Sequence, residues 1–433
     1  MADGSLPPAD GAGAEVITFG CRLNACESEA IARQAKADGV TDVVVVNTCA
    51  VTGEAVRQAR QAVRRARRER PQARVVVTGC AAQVDPAGFL AMPEVDLVLG
   101  NGEKAAPGAL SVEGPRDRVA DVFTARRGSA AAGAFEGRAR AYVEIQNGCD
   151  HRCTFCIIPF GRGNARSTPA DEAVARVREL ADAGFAEVVL TGVDLTSWGD
   201  DIEGRPPLGT LVRRILGEVP QLARLRLSSI DAAEIDPELL AAFGGEPRLM
   251  PHLHLSLQSG DDLILKRMKR RHSAAQALEL ISAVREARPD TAFGADFIAG
   301  FPTESEAAFE RTTAFVEAAG LAYLHVFPFS ARPGTPAARM PQVLPALARE
   351  RAARLREVGA AALAGRLESR LGTRARALVE APGRGRGEDY AEIILEADAP
   401  TGSVVEGVLT RHDGRRAWLD PLQLSPQRPS SRT

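Results

Sequence analysis

Three cysteines fall within eight residues, Cys149-Asp150-His151-Arg152-Cys153-Thr154-Phe155-Cys156, directly after a short apolar run at 142–146 that reads as a strand. Their spacing is C-x3-C-x2-C. Three thiolates on one tight loop can hold three corners of a metal cluster and leave the fourth open. Iron–sulfur clusters are held by cysteine thiolates and tuned by solvent access and hydrogen bonds to sulfur. An open iron is a place for a substrate or cofactor to bind. Two plainer readings compete. Buried thiols often serve as small hydrophobes. His151 could also complete a Cys3His zinc tetrahedron, although it sits between two ligands on a very short loop.

The longer run from Cys149 to Pro159, CDHRCTFCIIP, resembles the cluster motif of radical S-adenosylmethionine (SAM) enzymes. Followed by Gly161-Arg162-Gly163-Asn164-Ala165-Arg166-Ser167, it is similar in particular to the methylthiotransferases.

A chain of 433 residues is long for one core, so two or three domains are expected. The net charge of −2 excludes a global basic field, and any nucleic-acid affinity must come from local patches. Only Lys36, Lys104, Lys266 and Lys269 are lysines, so nearly all positive charge is arginine, which pairs with phosphate bidentately. No signal-peptide pattern and no long apolar run is present, which predicts a cytoplasmic protein without a membrane span. Seven cysteines in such a chain argue for metal or catalysis over disulfides.

Residues 1–13 read as a disordered leader. Strand-like runs follow at 15–19, 42–46, 74–78 and 95–99, with helical stretches at 28–38 and 54–70. Continuous apolar strands alternating with helices predict a parallel sheet covered on both faces, in a flavodoxin-like layout over 14–110. Cys21, Cys49 and Cys80 each follow a strand by one to three residues. Parallel strand ends share one edge, so three thiols distant in sequence converge in space. Three unrelated buried cysteines is the alternative. Gly20-Cys21, Asn47-Thr48-Cys49 and Gly79-Cys80 also resemble the ligand positions of a second [4Fe–4S] cluster in the methylthiotransferase N-terminal domain. Cys26 fits no motif position and reads as a free or packed thiol. The 54–70 helix carries Arg57, Arg60, Arg64, Arg65, Arg67, Arg68 and Arg70 opposite an apolar face of Val56, Ala59, Val63 and Ala66. That row is either a solvated face or a guide for a polyanion. Residues 104–140 read as a connecting segment.

From 135 to 345 the alternation resumes, with strands at 142–146, 187–190, 224–227, 252–257, 293–298 and 323–327. Six βα units predict a partial (β/α)6 barrel with its chemistry at the C-terminal strand ends. The resemblance implies that Gly192 and Asp194 hold the SAM amine, in a Gly-Val-Asp where many members have Gly-Gly-Glu. It implies that Ser229, beside Ser228, and Ser256 and Gln258 lie near the SAM carboxylate and ribose. It sets Gly300 and Pro302 in the family's Gly-Phe-Pro element. Phe155 either packs on adenine or fills the core. For each polar residue alone, a turn or cap role is the alternative. The basic run 266–272 either meets RNA phosphate or is a solvated helix end.

After a helical connector at 345–370, alternating short strands from 373 predict a small β-barrel over 370–433. The resemblance implies an RNA-binding TRAM domain there. From Arg370 onward there are ten arginines against nine acids, so a capping or protein-binding barrel stays open.

The resemblance spans about residues 15 to 420, counted from the matched motifs. Thr191-Gly192-Val193-Asp194-Leu195-Thr196-Ser197-Trp198-Gly199 and Leu225-Arg226-Leu227-Ser228-Ser229 look most like the branch that methylthiolates C2 of N6-threonylcarbamoyladenosine (t6A) at position 37 of tRNA. It implies one [4Fe–4S] cluster on Cys149, Cys153 and Cys156 that takes SAM, and a second, sulfur-supplying cluster on Cys21, Cys49 and Cys80. SAM serves as radical source and methyl donor. The partners it implies are the tRNA anticodon stem-loop and an electron donor such as flavodoxin or ferredoxin, with the enzyme a monomer. The alternatives are an isopentenyl-adenosine (i6A) tRNA or a ribosomal-protein aspartate as substrate, another radical SAM reaction such as plain methylation, and a zinc-dependent RNA-binding protein.

Overall fold

The computed structural model describes residues 4–5, 14–111, 113–125, 132–133, 139–396 and 398–422. Most of the leader at 1–13, part of the connector at 126–138 and the tail beyond 422 lie outside the described residues.

Valine-rich runs build the N-terminal sheet. Strands β1 (Ala14–Thr18), β2 (Val43–Thr48), β3 (Arg74–Gly79), β4 (Leu97–Leu99) and β5 (Asp117–Arg118) lie parallel and side by side in chain order. β-Branched residues suit a sheet buried on both faces, and successive side chains point to opposite sides. Val43 and Val45 accordingly enter one core with Ile31 and Ala35 of α1 (Arg22–Ala37). Val44 and Val46 enter the other with Ala59, Ala62, Val63 and Ala66 of α2 (Gly53–Glu69). Thr52 caps α2, accepting from the Ala55 amide at 3.1 Å. The arginine row of α2 is largely neutralised. Arg57, Arg60, Arg64 and Arg67 pair with Glu54, Asp85, Glu94 and Asp96, and Arg70 pairs with both Glu15 and Asp42. The structure therefore favours the solvated-face reading. Strand β5 lies in the stretch read as a connector, where two charged residues give no apolar pattern.

Six parallel strands in chain order form the central partial barrel: β6 (Arg140–Glu144), β7 (Glu187–Thr191), β8 (Arg224–Leu227) continuing after Ser228 as β9 (Ser229–Ile230), β10 (His252–Gln258), β11 (Ala292–Ala299) and β12 (Tyr323–Pro328). Val143, Leu190, Leu225, Leu253, Phe293 and Phe297 face outward into the core beneath the helices. The alternate positions face the barrel interior and are largely polar. The C-terminal strands β13 (Arg374–Ala381), β14 (Arg384–Gly387), β15 (Glu392–Leu395), β16 (Val404–His412) and β17 (Arg416–Pro421) close a five-stranded barrel. Among the described residues no helix is long and apolar enough to cross a membrane.

The base of the central barrel is charged. Glu187, first residue of β7, is fully buried; it accepts a hydrogen bond from Arg226 at 3.0 Å and ion-pairs with Arg140 at 3.1 Å and Arg224 at 3.3 Å. Burial alone would raise its carboxyl, but the three guanidiniums hold it down at about 2. Arg140 is pushed up against its burial by Glu187 and Glu380, whereas burial brings Arg224 down to about 10 because it shares Glu187 with two other cations. Tyr390 of the C-terminal barrel closes this base. Its ring stacks on His252 at 4.7 Å, and Arg22 donates to its hydroxyl at 2.5 Å. The guanidinium carbons of Arg386, Arg226, Arg22 and Arg140 lie 4.8, 5.1, 5.4 and 5.9 Å from the ring centre.

Replacing Glu187 by Gln strands three buried cations, and urea denaturation should show a loss of about 3–5 kcal/mol. A carboxyl lowered from 4.5 to about 2 on folding stabilises fully above its unfolded value. The parent should therefore lose this contribution as pH falls from about 4.5 towards 2, and Glu187→Gln should lack that component of the pH dependence.

Candidate active site

The thiol loop leaves the C-terminal end of β6, where a parallel barrel presents its chemistry. The Thr154 amide bonds the Met268 carbonyl at 3.0 Å, and the Thr154 hydroxyl bonds the Arg267 carbonyl at 2.8 Å. Arg270 approaches the Cys153 Sγ at 3.7 Å and donates to Asp231 at 2.7 Å and to the Ser256 carbonyl at 2.6 Å. Arg270 and His272 of the basic run 266–272 thus turn inward, whereas Lys266, Lys269 and Arg271 are exposed. Arg271 pairs with Glu234, and His272 is buried beside Asp231. His151 Nε2 lies 2.7 Å from an Asp194 oxygen and 2.7 Å from the Arg271 guanidinium.

The polar rim residues lie around this loop. The buried Gln146 carboxamide oxygen accepts from the amides of Val193 at 3.0 Å and Asp194 at 2.8 Å. A Cβ on Gly192 would lie 3.0 Å from the Gln146 carbonyl, so the two segments pass in close contact there. Asp194 lies 3.8 Å from the Cys149 Sγ and accepts from Ser197 at 2.7 Å. Burial would raise the Asp194 carboxyl, but the His151 and Ser197 hydrogen bonds hold it down. Ser229 pairs in register with His254, and Gln258 ends β10 with a left-handed φ of 71° beside a register shift. Phe155 meets Phe301 edge to face at 6.4 Å, within an apolar cluster that includes Met268 and Phe329.

The second triad gathers at the edge of the N-terminal sheet. A Cβ on Gly20, whose φ is +100°, would lie 2.7 Å from the Cys49 Cβ and 3.0 Å from its Sγ. Asn101 reaches the Cys80 Sγ at 3.7 Å, and Asn24 meets the Cys21 thiol at 3.8 Å. Burial, then the neighbouring Cys80 and Cys21, push the Cys49 thiol up to about 12. Burial likewise pushes Cys156 up to about 12, with Cys153 adding to it. Crowded buried thiols hold their protons in the absence of a cation. A metal cluster supplies that cation and deprotonates its ligands, so both donor sets fit iron–sulfur binding. The two triads are neighbours. A Cβ on Gly161 of the short helix α3 (Ile158–Arg162), which follows Cys156, would lie 3.2 Å from the Cys80 Cβ. The Cys80 charge is felt at Cys156.

One residue of the Gly161–Ser167 run joins the triads. Arg162 is almost fully buried and bonds both Glu27 oxygens at 2.8 and 3.0 Å and Asn24 at 2.6 Å, all on α1. Lys104 adds a 2.6 Å bond to Glu27. Nearby, burial and then the Glu27 charge push Glu144 up to about 8. A lone arginine in a Gly-rich run gives no sequence sign of such a role.

Two family models match the chain: the radical SAM superfamily over residues 143–316 and the uncharacterized protein family UPF0004 over 14–100. The threonylcarbamoyladenosine tRNA methylthiotransferase MtaB of Rickettsia prowazekii is 45% identical over 91% of this chain and 94% of its own length. The chain belongs to the MtaB-like radical SAM methylthiotransferase family. The tRNA-2-methylthio-N(6)-dimethylallyladenosine synthase of Cereibacter sphaeroides (strain ATCC 17025 / ATH 2.4.3) is 36% identical over 76% of this chain and 78% of its own. The radical SAM methyltransferase TsrM of Kitasatospora setae shares the fold, with a TM-score of 0.53 and 17% identity over 73% of this chain and 67% of that one. The family's cofactors are [4Fe–4S] clusters and SAM.

Gly20→Ala should expel the cluster of the N-terminal triad and spare the other. Iron in anaerobically reconstituted protein should fall from about eight to about four per chain, with SAM still bound. Unchanged iron would show that Cys21 and Cys49 do not share a cluster.

Proposed function

We propose that this chain converts t6A at position 37 of tRNA to its 2-methylthio derivative. The observation that carries the reading is the pair of thiol triads made neighbours where Gly161 of α3 packs on Cys80, in a chain 45% identical over 91% of its length to a relative named for t6A. Cys149, Cys153 and Cys156 would hold one cluster, and Cys21, Cys49 and Cys80 the other. When bound, the clusters and SAM supply the one-electron chemistry, the sulfur and the methyl group.

The chain's own part is placement and enclosure. Gln146 fixes the Val193 and Asp194 amides beside Cys149, and Arg270 ties the Cys153 loop to the end of β10. Arg162 locks the N-terminal sheet against the barrel. Reaction at an unactivated C–H bond needs near-contact geometry and a site shielded from water. The target base must leave the anticodon stack to reach a site between two domains. A monomer in the cytoplasm, reduced by a flavodoxin or ferredoxin, completes the proposal.

Mass spectrometry of tRNA nucleosides from a deletion strain should show loss of 2-methylthio-t6A with t6A retained. Loss of the 2-methylthio-i6A derivative alone would overturn the assignment. In vitro, Cys153→Ala should abolish SAM cleavage, whereas Cys49→Ala should retain cleavage and stop sulfur insertion.

A further inference from the structure

Three polar residues inside the barrel take no part in holding the thiol loops. Leu253, Leu255, Phe293, Ala295, Phe297 and Val326 face the helices, so His254, Asp296 and His325 face the interior on adjacent strands. His254 Nε2 lies 3.1 Å and His325 Nδ1 lies 3.2 Å from the same oxygen, Asp296 Oδ1. The two rings are 4.6 Å apart. Gly294, in register with His254, makes the space for this pair, since a Cβ there would lie 2.7 Å from His254 Nδ1. His254 and Asp296 are largely covered, whereas His325 on the edge strand β12 is 59% exposed.

Depth sets what this cluster can meet. Ser256 stands two residues beyond His254 on the same strand, a rise of about 7 Å. The Ser256 carbonyl is held by Arg270, which also touches Cys153. The cluster therefore lies one side-chain layer beneath the thiol loop, within reach of a substituent on a base held at the rim.

We propose that His254, Asp296 and His325 form a subsite for the N6 substituent of the target adenosine, taking an arm that bears hydroxyl and carboxylate groups and rejecting an apolar one. This rests on the t6A reading above. Asp296 accepts from both imidazoles, which fixes their tautomers. That leaves His325 Nε2 and Asp296 Oδ2 to the arm: the imidazole donates to a carboxylate when protonated, and the free oxygen accepts from a hydroxyl. A prenyl arm would cover these groups without pairing them, and a site built for hydrogen bonds discriminates strongly against an analogue that lacks them. A divalent cation is the rival occupant, because nitrogen and oxygen ligands about 2.1 Å from an ion stand about 3 Å apart.

The test uses reconstituted holoenzyme with tRNA carrying t6A or i6A at position 37. His325→Phe should raise KM for t6A tRNA about 10- to 100-fold, with KM for SAM and the iron content as in the parent. His325→Gln, which keeps a hydrogen-bonding group, should recover most of that loss. A KM for t6A tRNA within about twofold of the parent in His325→Phe would overturn the subsite. One zinc per chain in the parent that is lost in His325→Phe would overturn it in favour of a metal site. A parent that modifies only i6A tRNA overturns the t6A reading and this subsite together, an outcome visible before any variant is made.

Discussion

A buried guanidinium–carboxylate pair, Arg162 with Glu27, fixes the distance between the two thiol triads. Arg162 ends the helix that begins two residues after Cys156, and Glu27 sits six residues after Cys21. Both carboxylate oxygens are engaged, Asn24 and Lys104 satisfy what remains, and water is excluded. Burial opposes the Glu27 charge, but Arg162 and Lys104 bring it down to about 2. A buried pair is a weak source of net stability against an apolar isostere, yet leaving one partner unpaired costs several kcal/mol. Its value here is positional. A hydrophobic contact in its place could slide, whereas a two-pronged hydrogen-bonded fork holds one register.

The same region explains why the thiols are poised as metal ligands. Cys49 and Cys156 are deep enough that desolvation works against a bare thiolate, and neighbouring cysteines add to that effect. Glycines at 20, 79 and 161 let the loops approach so closely. At Gly79, with φ of +92°, an added Cβ would lie 2.4 Å from the Thr48 carbonyl.

Much of this was legible in the chain. The main N-terminal strands are written as valine runs, and the barrel strands as outward apolar residues alternating with inward, largely polar ones, so both sets stand out. The cysteines could be grouped because each follows such a run, and parallel strand ends share an edge. The remainder was hidden for definable reasons. Arg140, Glu187 and Arg224 open their strands with charges that neutralise one another only after folding. Asp117–Arg118 is a strand by pairing alone. The arginine row of α2 reads in sequence as a solvated face or a polyanion guide, because its acidic partners, Asp85, Glu94 and Asp96, lie on other loops. Tyr390, with a left-handed φ of 73°, sits in a turn whose sequence carries no sign that its ring stops the base of another domain.

That stopper has a consequence for traffic. With Tyr390 and its collar of guanidiniums closing the floor, passage through the base of the central barrel is blocked, and traffic is left to the cysteine side and the open edge at β12.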